Sequence, residues 1–161
     1  MRLLNNRGSE WDLFYTSVMV IVAAIVIVFA YFINAEITTQ FAAQGIDTEA
    51  LGHAANALKT FNLSIVFITV AFGVATFIAA FMVRSHPIFF VGSVLGLIVM
   101  LMVLTIMANT YDKLMIDSVF RTTATGTFSI MFNWVRNLPR IFVALWLVMA
   151  VGLYAKGKLE I

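Results

Sequence analysis

The feature that most constrains this chain is a set of long apolar blocks that contain no charged residue. Residues 13–33, 61–83 and 87–108 form blocks of 21, 23 and 22 residues, and about 20 apolar residues are enough for an α-helix to span a bilayer. Only 11% of the residues are charged, whereas soluble domains contain about 25%. The blocks therefore predict an all-α integral membrane protein with no room for a second, soluble domain.

A fourth apolar run, residues 141–155, has only 15 residues. Asn137 and Pro139 before it are typical of a helix start, because proline fits the first turn of a helix. A helix over residues 139–156 has 18 residues and is about 27 Å long, and the side chains of Arg140 and Lys156 can extend outward from its ends. We expect a short fourth span. The prediction is thus four transmembrane helices, three long and one short, over about residues 11–34, 61–83, 87–109 and 138–156.

The first three helices are expected to extend beyond the bilayer on one side. No helix breaker follows the first block before Gly45, and Asp47 offers a cap for a second helix that continues through Gly52 into its own apolar block. Pro87 begins the third helix, so we expect spans 2 and 3 to form a tight hairpin. Helical spacing then continues toward Gly126, which should end the third helix. These patterns predict projections over about residues 35–60 and 110–125 that pack against each other.

Between the projections and the last span lies an apolar but interrupted segment, about residues 127–136. Its aromatic residues Phe128, Phe132 and Trp134 suit the headgroup level of a bilayer. Two alternatives remain open for this segment: it lies flat at the interface, or it packs on the projections. The residues predicted to anchor the protein at the membrane interface are Trp11, Trp134, Arg136, Arg140 and Lys156.

The first block follows a basic N-terminus, but it is longer than the apolar region of a signal peptide, which has about 7–15 residues. We therefore expect it to be retained as the first span. Four spans place both termini on one side of the membrane. Lys and Arg are equally frequent on the two sides, and only the distribution of the acids favours a cytoplasmic location, or its topological equivalent, for the termini.

Residues that could carry out chemistry are scarce. No ionisable residue lies inside an apolar block, which argues against a proton-coupled transporter. The chain has no cysteine, and His53 and His86 fall at opposite ends of the second helix, where they cannot clamp a haem. Asp112 and Asp117 are expected to lie on a solvated helix face or to act as caps. We therefore predict no enzyme activity, no catalytic residue, and no cofactor or metal site; the net charge of +2 predicts no nucleic-acid partner.

Small residues provide the clearest positive signal, because they let neighbouring helices approach closely in lipid. Gly92 and Gly96 form a GxxxG pattern in span 3, and Ala71, Ala75 and Ala79 form a stripe in span 2. These residues serve either as an interface with other subunits, including further copies of this chain, or as packing between spans 2 and 3. The hydroxyls at membrane depth are expected to bond to their own helices or to a neighbouring helix; they belong to Thr69, Thr76, Ser93 and Thr105.

The function that fits these features is a structural or assembly subunit of a larger membrane-associated complex. Its expected partners are the lipid bilayer and other membrane, coat or scaffold proteins. The internal membrane of a lipid-containing virion ranks first among the settings. The alternatives are an oligomeric pore-former, such as a holin-like small channel, and an accessory subunit of a membrane enzyme complex.

Overall fold

The computed structural model describes the backbone of residues 8–82 and 87–159, and the side-chain surroundings of residues 12–76, 78, 94–148, 150 and 151. Helices account for nearly all of this part of the chain, and it contains no strand. The helices are α1 (Gly8–Ala43), α2 (Glu49–Met82), α3 (Pro87–Ile116), α4 (Ser129–Arg136) and α5 (Leu138–Leu159), with a π-helical turn (Thr123–Thr127) before α4.

Three of the helices are long and apolar enough to cross a membrane, over Asp12–Ala43, Glu49–Thr76 and Val94–Ile116. In α5, the apolar stretch with described side chains is shorter, Leu138–Val148. The predicted fold class, a helical membrane protein with three long apolar helices and one short one, is confirmed.

Local sequence signals predict most helix ends correctly. Helix α1 ends at Ala43, and Gly45 takes the left-handed conformation with φ 72° that favours glycine. The Asp47 carboxylate then accepts a hydrogen bond from the Glu49 N–H at 2.9 Å, and α2 runs unbroken through Gly52. Helix α3 begins at Pro87, as predicted. The side chains of the other predicted caps, Ser9, Ser85 and His86, lie outside the described residues.

The predicted end of the third helix at Gly126 is wrong. Helix α3 ends at Ile116, where the Asp117 carboxylate accepts a hydrogen bond from the Val119 N–H at 3.1 Å. An aspartate that bonds to the backbone two residues on stabilises a turn in place of a further helical turn. Gly126 lies inside the π-helical turn instead, so the second projection is shorter than predicted.

The four long helices pack in a ring in the order α1, α2, α5, α3. Helix α5 lies between α2 and α3, which barely touch each other in the part of the chain that the structure describes. Residues 83–86, which connect spans 2 and 3, and the side chains beside them on both helices lie outside the described residues, so the expectation of a tight hairpin stays a prediction. Where α5 approaches α2, a Cβ atom at Gly73 would come within 3.0 Å of the Leu145 side chain of α5. Because Gly73 has no side chain, α5 can pack close to the inner face of α2.

The core is built from one narrow seam on each helix. Helix α2 faces the bundle with Ile65, Thr69, Gly73 and Thr76, which are buried at helical spacing, while most of its other apolar residues are exposed. Buried residues of α1 and α3 recur at intervals of three and four, as expected of helices that cross at a small angle. They are Leu13, Ser17, Val20, Ile21, Ala24, Ile27 and Val28 in α1, and Met100, Leu104, Ala108, Tyr111 and Met115 in α3.

The segment of residues 117–137, which contains the π-helical turn and α4, packs over one end of the bundle. Phe128 is fully buried with its ring edge on Tyr31, at 5.2 Å between centroids, and Phe132 is buried beside Tyr111, at 6.1 Å. The surrounding helices bury both rings, so neither ring is exposed to lipid headgroups, and the depth of Phe128 and Phe132 in the bilayer stays a prediction. Of the two alternatives for this segment, the structure shows packing on the other helices.

Candidate functional site

Helices α3, α4 and α5 line an open groove of about 860 Å³. It lies beside residues 117–137, which we call the closing segment. We name the groove the polar groove, because charged and amide side chains form much of its wall. Its lining residues are Leu101, Thr105, Ala108, Asn109, Asp112, Asn133, Arg136, Asn137, Pro139, Arg140 and Val143.

One ion pair lies in the polar groove. The Nε atom of Arg136 is 3.4 Å from Oδ1 of Asp112, whose side chain is only 19% exposed. This oxygen is buried and accepts no hydrogen bond from the described residues. The expectation that Asp112 lies on a solvated helix face is therefore wrong, whereas Asp117 is exposed as expected. Asp112 neutralises part of the positive charge of the groove.

The second cation of the groove, Arg140, has no carboxylate within 4.0 Å among the described residues. Its Nη1 atom donates a hydrogen bond to Oδ1 of Asn137 at 3.0 Å. Asn137 forms the one-residue junction between α4 and α5: its main-chain carbonyl accepts hydrogen bonds from the N–H groups of Arg140 and Ile141. Arg136 and Arg140 lie on either side of this junction, and both line the groove. Together with the one acid of the lining, Asp112, they give the groove a net charge of about +1.

The walls of the groove change from polar to apolar in the same direction. Along α3 the lining residues run from Leu101 through Thr105 to Asp112, a distance of about 16 Å along the helix. Helix α5 runs antiparallel to α3, and its lining residues run from Arg140 to Val143. Leu101 and Val143 therefore form an apolar end, and Asp112 and Arg140 form a polar end.

The position of α4 depends on Asn62 in α2. The Asn62 Nδ2 atom donates a hydrogen bond to the Thr127 carbonyl at 3.2 Å, and its Oδ1 atom accepts one from the Met131 N–H at 2.9 Å. The helical hydrogen-bond pattern is interrupted where the π-helical turn meets α4. The Asn62 amide therefore provides the partners for the Thr127 carbonyl and the Met131 N–H, which no other residue of the two helices bonds. Sequence reasoning missed this residue. The available signal was an amide side chain within the apolar block 61–83, because a polar side chain at membrane depth needs a partner.

Of the small residues singled out in the sequence, the three whose surroundings the structure describes are not closely packed inside the bundle. A Cβ atom at Gly96 would meet nothing within 4 Å, and Ala71 and Ala75 are exposed. Gly96 lines a second groove of about 460 Å³ between α1 and α3, with an apolar wall that includes Phe14. Gly92 and Ala79 have side-chain positions outside the described residues. The packing alternative therefore lacks support at the described positions, and Gly73 provides the close approach instead.

The predicted interfacial anchors are only partly described. Arg136 and Arg140 are exposed and line the polar groove. Trp134 is half-buried, and its indole N–H is buried without an acceptor among the described residues. The side chains of Trp11 and Lys156 lie outside the described residues.

The prediction that hydroxyls at membrane depth bond to their own helices is confirmed for three residues. Thr69 donates to the Ile65 carbonyl at 2.7 Å, Thr76 to Phe72 at 2.8 Å, and Thr105 to Leu101 at 2.7 Å. The Ser93 side chain lies outside the described residues. Within the described part of the chain, no group of three or more His, Asp or Glu residues could hold a metal ion.

Comparisons with known proteins do not assign the chain to a family. No family model, no curated protein and no solved structure matches it. The function must therefore be inferred from the surfaces of this bundle.

Proposed function

We propose that this chain is a non-enzymatic structural or assembly subunit of a larger membrane-associated complex. The single observation that supports the proposal is the surroundings of Ala71, Ala75 and Gly96, which we call the outer seams: both alanines are exposed, and Gly96 is half-buried with open space for a Cβ atom. In lipid, helices associate mainly through close packing, and small residues permit that packing. Since Ala71 and Ala75 are exposed and open space remains beside Gly96, the outer seams are available to helices of other subunits.

The placement of the outer seams favours an extended assembly. Ala71 and Ala75 lie on α2 and Gly96 lies on α3, and these helices occupy opposite corners of the ring. If one subunit packs on α2 and another on α3, the assembly grows in two directions, as heterologous contacts do in open arrays. The core of each bundle would stay closed in such an array.

The projecting end of the α1–α2 pair supports contact with coat or scaffold proteins. Residues 41–47, around the turn, are all exposed, and the Asn34 Nδ2 atom donates a hydrogen bond to the Leu51 carbonyl at 3.0 Å, which ties the two helices together. A rigid hairpin with an exposed tip suits a partner outside the bilayer. The internal membrane of a lipid-containing virion is a setting of this kind, and four spans would return the C-terminus to the side of the N-terminus.

The proposal is tested by the size of the protein after mild detergent extraction from its native membrane, measured by native gel electrophoresis. We expect the wild-type chain to migrate in a complex well above its own 17.9 kDa. Ala75→Leu and Gly96→Leu place bulk in the outer seams and should shift the chain to smaller species. Ala23→Leu is the matched control, because Ala23 is an exposed alanine in the apolar part of α1, and it should leave the complex intact.

Two results would contradict the proposal. One is that all four proteins migrate as the same small species. The other is dye release from liposomes by the purified chain at a low protein-to-lipid ratio, which would favour the pore-forming alternative.

A further inference from the structure

We propose that the polar groove binds one anionic phospholipid, with the phosphate at Arg136 and Arg140 and an acyl chain along Leu101 and Val143. This inference goes beyond the assembly function. It assigns a ligand to a surface on α3, α4 and α5 that the outer seams do not include.

The charge of the groove selects an anionic headgroup. Arg140 has no carboxylate partner among the described residues, and Arg136 has only the loose contact with Asp112 at 3.4 Å. Arginine presents a planar fork of N–H groups that matches the oxygens of a phosphate. With Asp112 as the one acid, the net charge of about +1 suits a single phosphodiester better than a headgroup with several negative charges.

Amide side chains provide further donors at the same end. Asn109 on α3 and Asn133 on α4 both line the groove and are exposed. Their carboxamides can donate hydrogen bonds to phosphate or glycerol oxygens. The donors therefore come from two walls of the groove and converge on its polar end.

The depth of the groove distinguishes a lipid from a free phosphate. The polar end lies where the sequence places the boundary of the bilayer, since span 3 ends near residue 109 and span 4 begins near residue 138. The apolar end at Leu101 and Val143 extends from there toward the bilayer interior. A free phosphate would use only the polar end, whereas a phospholipid fills both.

The test uses the full chain in a neutral detergent, with binding measured by native mass spectrometry. The probes are phosphatidylglycerol, phosphatidylcholine with the same acyl chains, and inorganic phosphate. We expect one phosphatidylglycerol to bind about tenfold more tightly than phosphatidylcholine. Both lipids carry the same phosphodiester, but phosphatidylcholine adds a trimethylammonium group that the net positive charge of the groove repels. Inorganic phosphate should not compete at equal concentration.

The variant Arg140→Gln removes a charged hydrogen-bond donor and should weaken phosphatidylglycerol binding about tenfold. It should weaken phosphatidylcholine binding less, because the loss of one positive charge also relieves the repulsion of the choline group. Arg140→Lys keeps the charge and should retain part of the affinity. Arg121→Gln is the matched control, since Arg121 is exposed and does not line the groove. Circular dichroism reports whether each variant is folded, and the comparison of the three probes on the wild-type chain needs no variant.

Equal affinity for the two lipids, or an equal effect of Arg140→Gln and Arg121→Gln, would overturn the proposal. Binding of inorganic phosphate as tightly as phosphatidylglycerol would overturn it too, by showing a simple anion site.

Discussion

Asn62 shows how one side chain can hold together elements that are distant in sequence. Its amide bonds both the π-helical turn and the first residues of α4, so the closing segment depends on a residue of α2. Asn62→Leu keeps a similar volume but leaves the Thr127 carbonyl and the Met131 N–H unpaired. We expect the free energy of unfolding in detergent to fall by about 1–3 kcal/mol, the usual cost of leaving a buried polar group unpaired.

Asn109→Leu is the control for this change. Asn109 is exposed on α3, and surface substitutions alter stability by less than about 0.5 kcal/mol. Equal unfolding transitions for the two variants, measured by circular dichroism during chemical or thermal denaturation, would show that Asn62 does not fasten the closing segment.

Single residues also show why parts of the site escape sequence reasoning. Arg136 and Arg140 can be singled out as anchors because their charge and position are visible in the sequence. The burial of Asp112 cannot be read in the same way, since it depends on α4 packing beside it, and that packing depends in turn on Asn62. When another helix buries a residue, the sequence around that residue gives little indication of its burial.

At the scale of the helices, features set by nearby residues are predicted well, and features set by distant residues are not. Gly45, Asp47 and Pro87 mark helix ends through backbone conformation or capping, and their predictions are confirmed. The end of α3 escapes prediction because an Asp117 turn competes with a helix that the following residues could also form. The ring order escapes prediction because which helices pack together depends on how surfaces distant in sequence fit.

Gly73 and Gly96 form a matched pair that tests the observed packing. Gly73→Leu and Gly96→Leu gain similar helix propensity, but only at Gly73 would an added Cβ atom meet a neighbour, the Leu145 side chain at 3.0 Å. We expect Gly73→Leu to be less stable than Gly96→Leu by about 1–3 kcal/mol, the cost of overpacking.

The measurement is the unfolding transition of both variants in the same detergent, at a concentration where the chain is monomeric. Greater destabilisation by Gly96→Leu would mean that span 3 packs through its GxxxG pattern and that α2 does not approach α5 through Gly73.

At the scale of the whole molecule, the bundle has a closed core and largely apolar outer faces. The buried hydroxyls bond to their own helices, and the interior is filled by residues such as Ala24, Leu104 and Met131. Among the described residues, the surfaces open to interaction include the outer seams, the exposed turn between α1 and α2, and the polar groove. A closed core with interaction surfaces on the outside supports a role in contacting other subunits and lipid.

The absence of cysteine from the chain allows the most direct test of the assembly role. Single-cysteine variants Ala75→Cys, Gly96→Cys and Ala23→Cys, expressed in the native membrane and labelled with a benzophenone maleimide, are irradiated and analysed by gel electrophoresis. The assembly role predicts discrete protein adducts of higher mass from positions 75 and 96 but not from position 23. Adducts with lipid alone at all three positions would contradict it.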